Sequence, residues 1–194
     1  MGPVSVTTWV SLDGVVQGLG RAEEDTRGGF AHSGWGQRYD DEVMNREMAK
    51  GMAKPGDMLF GRRTWEDFIT AWSQRGDGNP VTAHMNGVTK YVASRTLADA
   101  DAWQNSVLLR GEAAETVAAL KDRSDRDLAV IGSAALVRSL HAAGLIDHYT
   151  LLVCPLTLGS GARLFTDPAP LTEFELTGSV ATTKGVIIAQ YDRR

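Results

Sequence analysis

The spacing of apolar residues changes repeatedly along the chain, and each change predicts a new element. Short apolar runs or strict alternations predict strands, whereas recurrences every three or four positions predict helices. The predicted strands cover residues 4–10, 57–60, 89–93, 106–109, 128–131, 149–154, 173–182 and 186–191. The predicted helices cover residues 40–50, 62–72, 112–123 and 133–143, the last of which ends at Gly144.

The order of these elements indicates an α/β fold. Strands and helices alternate up to residue 143, which is typical of a parallel sheet with flanking helices. Three strands follow without a helix between them, and Lys184 and Gly185 supply a turn between the last two. We therefore expect a mostly parallel sheet with a C-terminal antiparallel hairpin. Since no linker or internal repeat interrupts the sequence, we expect residues 1–194 to form one domain.

Residues 17–38 form a long segment in which neither period is sustained. The segment holds six of the 21 glycines of the chain, so we expect an irregular loop. A loop of this length in a compact domain often covers a binding site. A second, flexible connection is predicted at residues 76–80, whose sequence is GDGNP. Open parallel sheets bind ligands at the carboxyl ends of their strands, where we look for candidate chemistry.

The composition excludes several classes of protein. A net charge of −4 and a pI near 5.6 argue against a broad nucleic-acid surface, which needs clustered Lys and Arg. No apolar run is long enough to span a bilayer, and the first residues lack an export or lipidation signal, so we expect a cytoplasmic protein. Cys154 is the only cysteine and the four histidines lack metal-ligand spacing, so we expect neither a disulfide nor a metal site.

The segment DMLFGRRTWEDF, residues 57–68, carries a predicted strand through a glycine into the first turn of a helix. Gly61 would let a ligand approach the backbone, and Arg62, Arg63 and Thr64 add charge and hydrogen-bond donors. Because the first N–H groups of a helix are free, this combination favours a phosphate group. A solvated helix start with surface arginines is the alternative interpretation.

The segment LAVIGSAALVRSL, residues 128–140, has the same order of strand, small residues and helix. Its small residues would let a dinucleotide diphosphate approach the helix N-terminus; they are Gly132, Ser133, Ala134 and Ala135. Tight packing of the helix on the sheet would use the same residues. Because the segment lacks the GxGxxG motif, it is weak evidence for a dinucleotide site by itself. Two such junctions on one sheet are stronger evidence than either junction alone.

These segments together resemble the dihydrofolate reductase fold family over nearly the whole chain. GRRTWEDF is similar to the strand-to-helix cofactor segment of that family, VIGSAAL to its second glycine-containing segment, and VASRT at 92–96 to the region around the adenosine 2′-phosphate. SLDG at 11–14, GLIDHY at 144–149 and PLTLGSGARLF at 155–165 resemble one branch, the C-terminal reductase domain of the bifunctional riboflavin biosynthesis protein.

The resemblance implies an NADPH-dependent reductase acting on a small molecule. It assigns the phosphates of NADPH to the residues of both junctions and to Ser94 and Arg95, since an Arg fork meets a 2′-phosphate bidentately. The reaction it implies first is the riboflavin-pathway reduction of a ribosylaminopyrimidine phosphate. The alternatives are a pteridine or folate reductase and a non-catalytic nucleotide-binding module. The riboflavin-type relatives also imply a homodimer.

The substrate side is predicted from single residues. Asp40 lies five residues after Trp35, which resembles the loop Trp and helix Asp of dihydrofolate reductases and implies that Asp40 donates the proton. An Asp at a helix start is also a common cap, and Asp41 and Glu42 are competing carboxylates.

Two further segments are candidates for substrate contact. Asp13 would approach the substrate or form a turn before Gly14. Gly161 and Arg163, in the GSGAR segment, would hold a substrate phosphate or form a plain glycine turn.

Overall fold

The computed structural model describes residues 1–52 and 54–194 of the chain. The eight strands are β1 (Val4–Ser11), β2 (Gly56–Gly61), β3 (Lys90–Ser94), β4 (Ser106–Arg110), β5 (Asp127–Ile131), β6 (His148–Cys154), β7 (Phe174–Ala181) and β8 (Ile187–Arg193). The α-helices are α1 (Glu42–Met52), α2 (Arg62–Phe68), α3 (Pro80–Gly87), α4 (Ala113–Arg123) and α5 (Ala134–Ala142).

All eight strands form one sheet in the order β4-β3-β2-β5-β1-β6-β8-β7. The six strands from β4 to β6 in this order are parallel to one another, and β8 pairs antiparallel with both β6 and β7. Parallel pairing requires a crossover between strands. Helices lie in these crossovers except between β3 and β4, which residues 95–105 connect without a helix. The α/β fold with a mostly parallel sheet and a C-terminal antiparallel hairpin is therefore confirmed.

Apolar side chains cover both faces of the parallel part of the sheet. In β2, Leu59 faces a core that includes Val117 and Leu140 from α4 and α5. Its neighbours Met58 and Phe60 face the opposite core. Residues 58–60 of β2 are a continuous apolar run because successive side chains of a strand point to opposite faces and both faces are buried here.

The structure differs from the sequence-based prediction around α2 and α3. The predicted helix 62–72 is α-helical only to Phe68 and continues as a π-helical turn at Ile69–Ser73. Residues 76–80, GDGNP, were predicted as a flexible connection and no element was assigned to residues 81–88, but α3 begins at Pro80. The side chain of Asn79 accepts a hydrogen bond from Val81 N, and proline suits a first helical position, so the last two residues of that motif form a helix cap.

The loop 17–38 is irregular but well anchored. It contains two short 3-10 turns, Arg27–Gly29 and Gln37–Tyr39. The Gln17 side chain donates hydrogen bonds to Asp25 and to Arg27 O, and accepts one from Ala162 N. These bonds hold the loop together and tie it to the segment between β6 and β7. Among the described residues, no helix has the length and apolar character needed to cross a membrane.

Candidate active site

A cavity of about 840 Å³ lies between the loop 17–38, the helices α2 and α5, and the carboxyl ends of parallel strands. Thr8 and Trp9 of β1 and Ile131 of β5 contribute to its floor. Ligands of open α/β sheets bind at these strand ends, where helix N-termini and loops converge. Six of the residues predicted to bind the cofactor line this cavity: Arg63, Thr64, Gly132, Ser133, Ala134 and Ala135.

Ser133 joins the two predicted phosphate-binding junctions. Its Oγ accepts a hydrogen bond from Gly61 N at 2.9 Å and donates one to Thr64 Oγ1 at 2.8 Å. A Cβ on Gly61 would lie only 2.7 Å from that Oγ, so a glycine is needed for this close approach. The strand-to-helix turns after β2 and β5 are therefore held together at one point.

The backbone at the start of α5 adopts an unusual conformation. Gly132 has a φ of +75°. Ser133 has a φ of +61°, which lies in the left-handed region that residues other than glycine seldom adopt. Such conformations concentrate at ligand sites. The turn directs the start of α5, with Ala134 and Ala135, into the cavity. The first N–H groups of a helix have no partner within it, so this edge offers donors and a partial positive charge.

Two arginines flank this helix start and complete a fit to a diphosphate. Arg63 lies one residue before Thr64 and lines the cavity. Arg138, one turn into α5, lines it too and donates one hydrogen bond to Arg163 O at 2.6 Å. Helix N–H groups and guanidinium groups donate hydrogen bonds to a dinucleotide diphosphate, and small side chains let it approach the backbone. The residues present therefore fit the cofactor that the sequence predicted.

The remaining predicted cofactor residues form a second polar cluster at the end of β3. Arg62 donates a hydrogen bond to Thr96 Oγ1 at 3.0 Å and forms a salt bridge with Glu66. Ser94 is buried, and its Oγ accepts hydrogen bonds from the N–H groups of the next turn, Thr96 N at 3.2 Å among them. Arg95 is exposed. It pairs with Glu112 at 3.0 Å. The two arginines are thus at one corner of the sheet, outside the cavity lining.

One part of the cavity lining is apolar. It is built by Met48, Met52, Phe68, Trp72, Val81 and Met85, which we call the acceptor compartment. These side chains come from α1, α2, the π-helical turn and α3. The π-helical turn places Thr70, Ala71 and Trp72 along the cavity. Single π turns are frequent at functional sites because they change the direction of side chains within a helix.

Three carboxylates also line the cavity, and only two of them have partners in the described part of the chain. Glu24 accepts hydrogen bonds from Gly20 N and Arg21 N, and Asp25 pairs with Arg27. Asp67 of α2 has no such partner, and burial raises its pKa above the usual value although Arg27 opposes the shift. Asp67 was not among the sequence-predicted residues.

Asp40 and Trp35 are not placed at the cavity. Asp40 is exposed at the end of the 3-10 turn Gln37–Tyr39, and the neighbouring Asp41 caps α1 by accepting a hydrogen bond from Met44 N at 2.7 Å. Trp35 is buried, and its Nε1 donates to Gln17 O at 2.7 Å. The Trp35 indole is therefore packed in the core, whereas the Asp40 carboxylate lies at the surface. Neither residue is among those that line the cavity.

The predicted substrate-phosphate segment is also engaged elsewhere. Asp13 accepts hydrogen bonds from Ser11 Oγ, Leu158 N and Gly159 N, and these bonds lower its pKa to about 2. Arg163 donates to Asp13 O at 2.6 Å.

Gly161 packs in the same structural region. A Cβ there would lie 2.8 Å from the ring of Phe30. Asp13, Gly161 and Arg163 therefore lock the two loop segments together and do not line the cavity.

Comparison with known proteins agrees with this architecture. Residues 3–188 match the family model described as the RibD C-terminal domain. The chain belongs to the RibD C-terminal domain family. Over 137 residues it is 25% identical to "Uncharacterized protein YyaP" of Bacillus subtilis (strain 168), an alignment covering 69% of this chain and 72% of that protein.

Solved structures share the fold of this RibD C-terminal domain at low identity. A putative riboflavin biosynthesis protein from Shewanella sp. PV-4 has a TM-score of 0.68 and 16% identity, with 99% of each chain covered. A pyrimidine reductase-like protein from Corynebacterium diphtheriae has a TM-score of 0.67 and 11% identity, covering 100% of this chain and 92% of that one. Dihydrofolate reductase from Enterococcus faecalis, complexed with NADP(H), has a TM-score of 0.63 and 13% identity, covering 100% and 97%.

Proposed function

We propose that this RibD C-terminal domain is an NADPH-dependent reductase. The observation that carries the proposal is the Ser133 junction, which joins two strand-to-helix turns and directs a helix N-terminus into the cavity. Gly132, Ser133, Ala134 and Ala135 would hold the diphosphate, with Arg63 and Arg138 beside them. When bound, NADPH supplies a hydride to the acceptor. The acceptor compartment would hold the acceptor and keep water out.

The second polar cluster provides the basis for choosing NADPH over NADH. Arg62 and Arg95 lie beside Ser94 and Thr96 at the end of β3, and each has a carboxylate partner that a phosphate would replace. A 2′-phosphate carries nearly two negative charges and accepts bidentate hydrogen bonds from a guanidinium. We propose this cluster as the 2′-phosphate site.

The choice of nucleotide is tested by binding. Calorimetry is expected to give a dissociation constant for NADPH at least about tenfold below that for NADH, because a charge-assisted hydrogen bond contributes about 1.5 to 3 kcal/mol. The double variant Arg62→Ala, Arg95→Ala should remove this difference. Arg123→Ala, an exposed arginine at the end of α4, serves as the control. Equal affinity of the unmodified protein for both nucleotides would contradict the 2′-phosphate assignment.

The acceptor that the sequence resemblance implies needs a phosphate site of its own. The sequence placed that site on Gly161 and Arg163; neither residue lines the cavity, although Ala162 between them does, and the Arg163 side chain donates to Asp13 O. We therefore propose the reductase activity without the ribosylaminopyrimidine phosphate as its assigned acceptor. That compound and a pteridine are the first two acceptors to assay with NADPH.

We propose Asp67 as the group that holds a proton for the acceptor. It lines the cavity, and burial raises its pKa. The charged groups around it are Arg21, Glu23, Glu24, Asp25, Arg27, Arg63 and Glu66. The adjacent Glu66 pairs with Arg62 and does not line the large cavity, so it provides a matched control.

The substitution Asp67→Asn tests this role. The reductase rate should fall by at least about tenfold, and the decline of the wild-type rate as pH rises through the Asp67 pKa should disappear. The raised pKa also means that the folded protein binds the proton more tightly than the unfolded chain, so stability falls as pH rises through that window. The variant should therefore melt at a higher temperature than wild type at pH 7. An unchanged pH profile, or the same effects in Glu66→Gln, would remove Asp67 from this role.

A further inference from the structure

We propose that Asn86 is a positioning residue that holds the π-helical turn Ile69–Ser73 so that Trp72 stays in the wall of the acceptor compartment. The inference rests on the proposed reductase function and extends it to a residue that is not among those lining the cavity. The juxtaposition that carries it is a single side-chain amide, bonded on one side to the turn and on the other side to a buried indole.

The Asn86 carboxamide joins two segments that are distant from it in the sequence. Its Nδ2 donates a hydrogen bond at 3.1 Å to Trp72 O, 14 residues earlier in the chain. Its Oδ1 accepts one at 2.6 Å from Trp103 Nε1, 17 residues later, in the connection between β3 and β4. An amide makes both bonds because it offers a donor and an acceptor together, whereas an ionised carboxylate offers acceptors only.

Trp103 gives the amide a fixed support. Its side chain is buried, with 2% of its surface exposed, and its ring centroid lies 6.1 Å from that of Phe60 in the sheet. The Lys90 Nζ lies over the same ring, 4.7 Å from its centroid. Because side chains in such a core are close-packed in low-energy rotamers, the Trp103 N–H approaches Asn86 Oδ1 from a fixed direction.

The π-helical turn depends on a support of this kind. It spans five residues, and the residues that follow it, 74–80, are exposed and include Gly76 and Gly78. Trp72 O also accepts a bond from Arg75 N at 3.2 Å, but that bond lies within the same segment. The bond from Asn86 therefore ties the end of the turn to α3, and through Trp103 to the core.

Trp72 matters for the reaction because its half-buried ring packs against the core that contains Trp103 and also lines the cavity. An acceptor has to be held within about 1 Å of its productive position, since misplacement on that scale can cost roughly a hundredfold in rate. The side-chain bonds of Asn86 go to Trp72 and Trp103 and not to the start of α5, where the diphosphate is proposed to bind. Loss of the amide should therefore lower the rate and leave NADPH affinity unchanged.

Two substitutions of nearly the same size separate the two bonds. Asn86→Asp keeps the acceptor for Trp103 but places a carboxylate against Trp72 O, so the turn is pushed away. Asn86→Leu removes both bonds without adding charge. Asn45→Asp is the matched control, because Asn45 is an exposed residue of α1 outside the cavity lining and gains the same charge.

Fluorine NMR of protein labelled with fluorotryptophan reports the position of the turn without turnover. The chain has five tryptophans, and single replacements by phenylalanine assign their signals. The Trp72 signal should shift or broaden in both Asn86 variants, whereas those of Trp9 and Trp35, which pack in a different core, should remain in place. A Trp72 signal that is unchanged in both variants would overturn the inference.

The rate is then compared with the affinity. With saturating NADPH, kcat for the ribosylaminopyrimidine phosphate or for dihydrobiopterin, a pteridine, should fall by at least about tenfold in both Asn86 variants, while the dissociation constant of NADPH stays within about twofold of wild type. A purely structural role would reduce the amount of folded protein, so the calorimetric stoichiometry for NADPH would fall in proportion to the rate. Such a proportional fall, or an equal loss of rate in Asn45→Asp, would also overturn the inference.

The bridge predicts that Asn86 and Trp103 act as one unit. Trp103→Phe keeps a buried ring but removes the Nε1 donor, so it should lower kcat in the same direction as Asn86→Leu. The double variant should be slower than Asn86→Leu by no more than about twofold, because effects within one hydrogen-bond network do not add. Effects that multiply would contradict a bridge through Trp103.

The outcomes separate this inference from the proposed function. If wild type reduces neither acceptor, the reductase proposal fails by itself, and the fluorine signal of Trp72 alone decides whether Asn86 holds the turn. If wild type reduces an acceptor and both Asn86 variants match its kcat, the positioning role fails alone.

Discussion

Replacing Gly61 with Val is expected to weaken NADPH binding by at least about tenfold and to lower the free energy of unfolding by about 2 kcal/mol. A Cβ at this position would lie 2.7 Å from Ser133 Oγ and 3.6 Å from Leu136 Cβ. Ser133 would have to leave both Gly61 N and Thr64 Oγ1, and the branched side chain would then press on α5 itself. The N-terminus of α5 would no longer be directed at the diphosphate.

A graded series separates crowding from a general loss of stability. Gly61→Ala adds only the Cβ, which a rotation of Ser133 can relieve, so its effect on NADPH binding should be smaller than that of Val. Gly51→Ala is the matched control, because nothing lies within 4 Å of a Cβ there and α1 gains helix propensity. Calorimetry with NADPH and urea unfolding of each variant give the two quantities. Full NADPH affinity in a folded Gly61→Val protein would contradict the site.

The Gly61 and Ser133 contact also shows why the meeting of the two strand-to-helix junctions could be predicted from sequence. Local order alone identifies a strand, a small residue and a helix start, and parallel strands bring all such junctions to the same edge of a sheet. Residues 57–64 and 128–135 therefore converge without any knowledge of their partners. The hydrogen bond between them spans 72 residues and could not be read from either segment.

The substrate side was harder to predict because its residues share no local pattern. Asp40 was chosen from its spacing to Trp35, and in the structure it is exposed while the Trp35 indole is buried and bonded to Gln17 O. The acceptor compartment combines α1, α2, the π-helical turn and α3, and α3 itself was missed because Asn79 and Pro80 were interpreted as part of a flexible connection. Long-range packing determines such a wall, and a single sequence does not display it.

The second large effect is expected at Lys90. As pH rises from about 8 to about 10.5, the free energy of unfolding of wild type should rise relative to that of Lys90→Met by an amount on the order of 3 kcal/mol. The side chain is fully buried at the start of β3, and its Nζ donates to Val88 O at 2.8 Å and to Met85 O at 3.0 Å, above the Trp103 ring. Burial lowers its pKa from 10.5 to about 8. Between these values the unfolded chain binds a proton that the folded protein has released, so the free energy of unfolding rises with pH.

The comparison with Lys90→Met isolates this contribution from groups that act in the opposite direction. Burial raises the pKa of Cys154 to about 12 and also raises that of Tyr149. At high pH the unfolded chain releases these two protons more readily than the folded protein, so both groups lower the free energy of unfolding as pH rises. These losses are common to wild type and variant and cancel in the difference of urea unfolding free energies. Lys184→Met, at an exposed site, should follow the wild-type curve, because its side chain is in water in both states. If the free energies of unfolding of wild type and Lys90→Met changed in parallel across this pH range, the lowered pKa of Lys90 would be contradicted.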